Sequence, residues 1–590
     1  MLNTVQKQQR LRRMLQFAFG IFLSIGLAMV GACSVDDSSS VDSWDSAQAA
    51  LTRQILPKIN VAQNFVSESV ASRYTVDTIK EPLPNIESFP LYGAAPKASS
   101  GNDLYLEIYS SSEKANADRQ NERWLVDVAD AFNKSDRTTP SGQRIQVGIR
   151  KIDSGSGLRL IESNTVQPAG YSPSNALWLE LAKGNEVGLQ PVADQLVTNT
   201  AGWVVPDNVY QTLSANGPVT FETLLGAIAS KQITVAYPNP YTSSTALNFL
   251  HSLYWRAAGH HQDGKALTVA ELQTPQVQSI FEQFQSQVLL TTTTTLDLQE
   301  IFLRDQTKLQ AFPLEYQNYL SLKQVPGFEQ THFIPFGLPH TNPLVGFDWN
   351  SPDTAAALQQ FAQFAQSADM QALAKQQGFV IPGGLKPTQQ PQPTGEVLKA
   401  VQSNWKLNKD NGQTVYLEMV IDTSGSMDGE PLKGVQDGLR VASQYINPTN
   451  QVGLVSFGDH PTQLLPLAPF DELQHKKFLA TVDQLRADGA TAMYDGVMVA
   501  LANLLEKRAA DPDGRFYLLL LSDGAVTRGH GFRDISKIME YSEVRFYPIA
   551  YGNVDMGELG AIANLRESTV KTGNPETVQT LFKDLFQVNL

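Results

Sequence analysis

Three short segments near the carboxyl end of the chain concentrate oxygen donors. Asp422-Thr423-Ser424-Gly425-Ser426, Gly489-Ala490-Thr491 and Ser522-Asp523-Gly524 supply the carboxylates of Asp422 and Asp523 and the hydroxyls of Ser424, Ser426 and Thr491. All are hard oxygen ligands, which select Mg²⁺, Mn²⁺ or Ca²⁺ over zinc or copper. The hydroxyls carry no charge, so the two carboxylates at most balance a divalent ion. If either acts only through water, the ion still attracts an anionic group from another molecule. No nucleophile elbow, Cys–His pair, HExxH or P-loop occurs in the chain. The motif brings no histidine or spare carboxylate to serve as a base, so its chemistry is that of a grip and an enzyme is not expected.

These segments need a scaffold that brings them to one rim. The strings VYLEMVID (415–422), QVGLVSF (451–457), RFYLLLLSD (515–523) and VRFYPIAYG (544–552) read as strands, with QLLPLAPF (463–470) a shorter one that Pro466 marks as an edge. Helical patterns lie between and after them at 430–446, 472–485, 492–509 and 578–589. Near-continuous apolar strands alternating with helices predict a parallel sheet covered on both faces, where ligands bind beyond the carboxyl ends of the strands. Glu418 interrupts the predicted central strand, and is expected either to pair with a basic residue or to face a water-filled edge.

The joint pattern DTSGSM, DGATAMYDG and LSDG, in this order at strand and helix ends, resembles the metal-ion-dependent adhesion site of von Willebrand factor A domains over residues 413–590. The resemblance implies a doubly wound, Rossmann-like domain in which Ser424, Ser426 and Thr491 contact the metal and Asp422 and Asp523 act directly or through water. It also implies a protein or matrix partner whose carboxylate completes the metal's shell.

Upstream, residues 101–385 alternate strands (104–110, 144–152, 233–240, 332–338) with helical segments (121–135, 243–259, 355–378), the mark of an α/β domain long enough for two lobes. YSSSEK, DSGSG, YPNPYTSSTALNF, LEYQNYL and LPHTNPLVGF resemble loops of two-lobed periplasmic solute-binding proteins. The resemblance implies a polar solute in the interlobe cleft, with Ser110, Ser111, Ser154, Ser156, Ser243 and Ser244 as candidate contacts. The same small residues also suit plain turns. Glu315, in LEYQNYL, argues against an oxyanion. The pair His260-His261 lies in a polar string and is read as solvated rather than metal-binding.

At the amino end, Lys7, Arg10, Arg12 and Arg13 precede an apolar run (14–30), then Gly31-Ala32-Cys33. Charge, apolar core and small residues are the order of a secretory signal. VGAC resembles a bacterial lipobox, which implies lipidation of Cys33, the only cysteine, and a chain anchored to a membrane but facing outside the cytoplasm. Residues 33–100 are read as a tether and a strap lying on the following domain, and 386–412 as a linker with a short helix. The formal net charge of −14 disfavours nucleic acid as a partner. Two functions follow: an envelope protein that recognises a protein or matrix partner through the metal site, and, alternatively, a receptor delivering a small solute to a transporter or sensor.

Overall fold

The computed structural model describes residues 41–76, 83, 85–96, 103–215, 217–292, 294–307, 309–381, 390–523, 525–552, 554, 556–565, 568–575 and 577–589. The signal segment and Cys33 lie outside the described residues.

The C-terminal domain is a seven-stranded sheet. Its order is Ala62–Gln63, Pro461–Pro469, Gln451–Phe457, Val415–Asp422, Arg515–Ser522, Arg545–Tyr551 and Lys571–Gly573. All its neighbours run parallel except the pair of Gln451–Phe457 with Pro461–Pro469. Every residue of Val415–Asp422 is buried, as a central strand between two helical layers requires. Helices Met493–Ala510 and Phe532–Tyr541 cover one face, and Glu430–Ala442, Glu472–Asp483 and Val578–Asn589 the other. The chain leaves the strand Val415–Asp422 on one side and returns on the other, so its carboxyl end is a topological switch point.

Glu418 follows neither expectation for it. The carboxyl is fully buried, lies over Gly453 of the neighbouring strand and accepts a hydrogen bond from Asn503 Nδ2 at 2.9 Å. Burial, opposed in part by this hydrogen bond, pushes its pKa up to about 8, so the group is mostly protonated at neutral pH.

The middle domain has two lobes. One is built on a six-stranded sheet in the order Leu91–Gly93, Arg144–Lys151, Asp103–Ser110, Gly170–Ser172, Leu344–Phe347, Leu189–Ala193. The other combines the antiparallel strands Phe312–Glu315, Ala201–Pro206 and Thr331–Pro335 with the parallel pair Val235–Pro238 and Val288–Thr292. The chain passes between lobes on two segments that meet at the Asn199–His340 bridge, where both backbone hydrogen bonds form (2.8 and 3.0 Å).

Four readings change. DSGSG is not a loop: Asp153 caps the helix Ser154–Glu162, its side chain accepting the Ser156 N–H at 2.8 Å. The stretch 355–378 is two helices, Pro352–Ala365 and Ala368–Gln376. The helix Gly395–Asn408 is no free linker element. It buries Val397, Leu398, Val401 and Trp405 in the middle domain's core, and Trp405 Nε1 donates to Tyr237 Oη at 2.7 Å. His260 is buried between Asp263 and Glu271, 2.9 and 3.0 Å from its ring nitrogens, while His261 is exposed.

The strap also departs from its expected course. Trp44–Ala50 and the turn Leu51–Ile55 pack on the C-terminal domain, where Ala47, Ala50, Leu51 and Ile55 join its core. Ala62–Gln63 then adds a strand beside Pro461–Pro469, protecting part of the edge that Pro466 marks. The later part of the strap lies on the middle domain as expected: Leu83, Ile86 and Phe89 pack against its core, Arg150 Nη1 donates to Ile86 O (3.2 Å) and Phe89 O (2.9 Å), and Leu91–Gly93 pairs antiparallel with Arg144–Lys151. Among the described residues no helix is long and apolar enough to cross a membrane.

Candidate metal centre and interlobe cleft

The parallel register of Val415–Asp422 with its neighbours sets Asp422 against Phe457, and Ile421 against Leu521. The carboxyl ends of adjacent strands therefore stop together, leaving their following loops on one rim. Thr423 anchors the first loop by donating its N–H (2.9 Å) and Oγ1 (3.0 Å) to Phe457 O. Gly489, with φ +82°, accepts the Gly425 N–H at 3.0 Å, while the Asp488 N–H donates to Thr423 O at 2.8 Å. These bonds bring Thr491 to the same rim. The left-handed φ at Gly489 is one that L side chains seldom adopt.

The side chains of the first and third loops form a continuous hydrogen-bonded chain. Asp422 Oδ1 accepts from Ser424 N (2.8 Å) and Ser424 Oγ (2.5 Å), and Oδ2 accepts from Ser522 Oγ (2.7 Å). Ser424 Oγ and Ser426 Oγ are 3.1 Å apart, and Ser426 Oγ donates to Asp523 Oδ1 at 2.8 Å. Thr491 is held by its backbone: its N–H donates to Thr527 Oγ1 (2.9 Å), and its carbonyl accepts from Thr527 and Arg528 N–H. Burial raises the pKa of both aspartates; hydroxyl donors offset part of this, and for Asp523 the charge of Asp422 adds to it.

Asp422, Ser424 and Thr491 are buried, whereas Ser426 is exposed at the lip. The side-chain hydrogen bonds of Asp422, Ser424 and Ser426 stay within the C-terminal domain. Beside the rim Arg528 pairs with Asp459 at 3.1 Å, both largely exposed. Ser522 was legible in the sequence, next to Asp523. Thr527 and Arg528 were not, because their loop meets Thr491 only in the folded chain. The donor set, with two carboxyl groups and three hydroxyls on converging loops, fits a hard divalent cation. Among the described residues no group of three or more His, Cys, Asp or Glu is arranged to hold a metal, at this rim or elsewhere, so the rim relies on its hydroxyls beside two carboxylates.

In the middle domain, Ser154, Ser243 and Ser244 line an interlobe cavity of about 70 Å³ with Glu113, Asp153 and Asn318. Ser154 and Ser243 sit at helix starts, and Ser244 Oγ donates to Ser154 Oγ at 3.3 Å across the cleft. Trp178 Nε1 donates to Ser244 Oγ at 2.6 Å. Ser110, Ser111 and Ser156 do not line the cavity. Ser110 is fully buried, Ser111 Oγ accepts from the buried Lys114 Nζ at 2.7 Å, and Ser156 Oγ accepts from Arg159 at 3.1 Å. Glu315 also lies off the cavity, with Oε1 2.6 Å from His340 Nδ1 and accepting from Thr245 Oγ1 at 3.0 Å. No lysine or arginine lines this cavity among the described residues. Glu113 Oε2 is buried without a hydrogen-bond partner, and burial together with the nearby Glu315 raises its pKa.

Comparison with known proteins agrees with this division. The model of the von Willebrand factor type A domain matches residues 417–584, and that of bacterial extracellular solute-binding proteins matches residues 119–380. Inter-alpha-trypsin inhibitor heavy chain H4 of Bos taurus is 34% identical over 117 residues, 19% of this chain and 12% of that protein. An uncharacterized protein of Synechocystis, sll0103, is 24% identical over 184 residues, 30% of this chain and 42% of that one. The chain thus spans less than half the length of either relative. Among solved structures, a periplasmic thiamin binding protein is 13% identical, with a TM-score of 0.38, covering 52% of this chain and 96% of that one. Residues 119–380 therefore form a domain of the bacterial extracellular solute-binding type, followed at residues 417–584 by a von Willebrand factor type A domain.

Proposed function

We propose that this chain is an extracytoplasmic, lipid-anchored binding protein that grips a protein or matrix partner through a divalent cation held by Asp422, Ser424, Ser426, Thr491 and Asp523. The observation that carries the reading is the hydrogen-bonded chain Asp422–Ser424–Ser426–Asp523, ending in an exposed serine at the lip. A bound Mg²⁺, Mn²⁺ or Ca²⁺ supplies positive charge at that lip. Ser424, Ser426 and Thr491 offer neutral oxygens, so charge neutralisation by the chain stops at two carboxylates, and an acidic side chain of the partner supplies the rest. The test is retention of envelope proteins on the immobilised chain in Mg²⁺, in EDTA, and with Asp422→Ala. Retention of one protein lost in both of the latter supports the reading; a retained set unchanged by either overturns it.

A second reading rests on the interlobe cavity, with its serines, Asn318 and carboxylates and, among the described residues, no lining lysine or arginine. In it the middle domain is a receptor for a small polar solute, neutral or cationic, that it passes to a transporter or sensor. Thermal-shift screening of the full chain against amines, amino acids, sugars and anions checks it. Stabilisation by an amine or neutral solute, lost in Asp153→Asn, supports it; stabilisation by none overturns it.

A further inference from the structure

We propose that the crevice between the middle domain and the amino end of the C-terminal sheet is a binding site for a small multivalent oxyanion, gripped by Arg515 and Arg545. This site lies at the opposite ends of the strands from the metal rim and does not depend on it. The crevice encloses about 410 Å³. One wall is the middle-domain segment Ser286-Gln287-Val288-Leu289, and the other carries the first residues of Arg515–Ser522 and Arg545–Tyr551.

The sheet register places the two arginines together. Tyr517 is the partner of Arg545. Side chains alternate along a strand, so residues 515, 517 and 545 share one face. Arg515 and Arg545 are offset by two residues on adjacent strands, which strand geometry sets at roughly 8 Å between Cα atoms. Two guanidinium groups at that spacing reach one polyvalent anion, and their planar donor forks match phosphoryl and carboxylate oxygens.

The other charges leave these groups available. Arg508 also lines the crevice but is committed, donating to Ser542 O at 2.7 Å and pairing with Glu543. Arg515 donates Nε to Gln413 Oε1 at 2.8 Å, and its Nη1 is 3.9 Å from Asp410, whose carboxylate is already held by Lys409 at 2.9 Å. Arg545, half-buried, makes no hydrogen bond or ion pair with a described residue. Among the described lining residues the one carboxylate without an arginine partner is Asp513, which is exposed, where solvent and salt screen it. A half-buried cation that no described carboxylate pairs with, in a chain of net charge −14, suits a site that takes an anion. Because both domains wall the crevice, an anion there contacts both.

Isothermal titration of the full chain with pyrophosphate and with citrate, in metal-free buffer, tests the proposal. One saturable site is expected, weakening as salt rises, with affinity reduced at least about tenfold in Arg545→Gln and again in Arg515→Gln/Arg545→Gln. Arg545→Lys, which keeps the charge and loses the fork, falls between, and Asp422→Ala binds as wild type. Binding of pyrophosphate alone marks the ligand as phosphorylated; binding of citrate alone marks it as a polycarboxylate. No saturable binding of either, or binding undiminished in a double variant with wild-type circular dichroism, overturns the proposal.

Discussion

Glu418 Oε1, at the centre of the C-terminal sheet, accepts a hydrogen bond from Asn503 Nδ2 at 2.9 Å. Asn503 Oδ1 in turn accepts from Gln463 Nε2 at 3.1 Å, and Gln463 Oε1 from Gln63 Nε2 at 2.8 Å. A buried acid on the central strand is thereby joined, through a helix and an outer strand, to the amino-terminal strap. The network contains no cation, so it suits the protonated form of Glu418.

The first prediction follows from that protonation. The folded-state pKa, about 8, lies above the ordinary carboxyl value of 4.5, so the folded chain binds the proton more tightly than the unfolded chain. Its contribution to stability is complete below the unfolded pKa and is lost as pH rises through the folded value, a loss on the order of a few kcal/mol. Glu418→Gln removes this dependence. Urea unfolding of both proteins from pH 5 to 9 should show the variant gaining on wild type as pH rises; parallel curves would refute it.

Leu51 tests the strap. It is buried in the core of the C-terminal domain, although it belongs by sequence to the segment read as a tether. Leu51→Ala should cost about 2–4 kcal/mol of that domain's stability, the usual range for a buried leucine. A substitution in a passive tether would leave the melting temperature where it was.

For the proposed metal rim, Mn²⁺ at a hundredfold excess over its Kd should stabilise the chain by about 2.7 kcal/mol. Asp422→Ala and Ser424→Ala should abolish the shift. Since burial raises both Asp422 and Asp523, protons compete for these oxygens, and affinity for Mn²⁺ should decline as pH falls. Thermal shift at several pH values reads both effects.

Lys571 of the C-terminal domain pairs with Asp297 of the middle domain at 2.5 Å, and Arg304 donates to Asn564 Oδ1 at 2.7 Å. Lys571→Ala should cost about 1 kcal/mol of the coupling between domains. Calorimetry should then show the two unfolding transitions moving apart, whereas unchanged overlap would assign the pair no coupling role.

The sequence alone determined which oxygen donors stand at strand ends, and the alternation of strands and helices. Strand and helix periods, and the placing of DTSGSM, GAT and LSDG at their ends, are local properties, and the carboxyl ends of parallel strands gather such loops by geometry. That is why Asp422, Ser424, Ser426 and Asp523 are legible together in the sequence. Tertiary structure alone decided what depends on two distant surfaces meeting. The apolar spacing of Ala47, Leu51 and Ile55 marks a face to be buried, yet not that the C-terminal domain buries it. The serines at 110, 111, 154, 156, 243 and 244 look alike in sequence, and only packing separates Ser154, Ser243 and Ser244 at the cleft from Ser111 on Lys114. The partner of Glu418 lies 85 positions away on a helix, and the nearness of Arg515 and Arg545 on one wall of the crevice is a matter of sheet register. Residue type and period are written in neighbouring residues, while contact between remote segments is selected by the burial of whole faces.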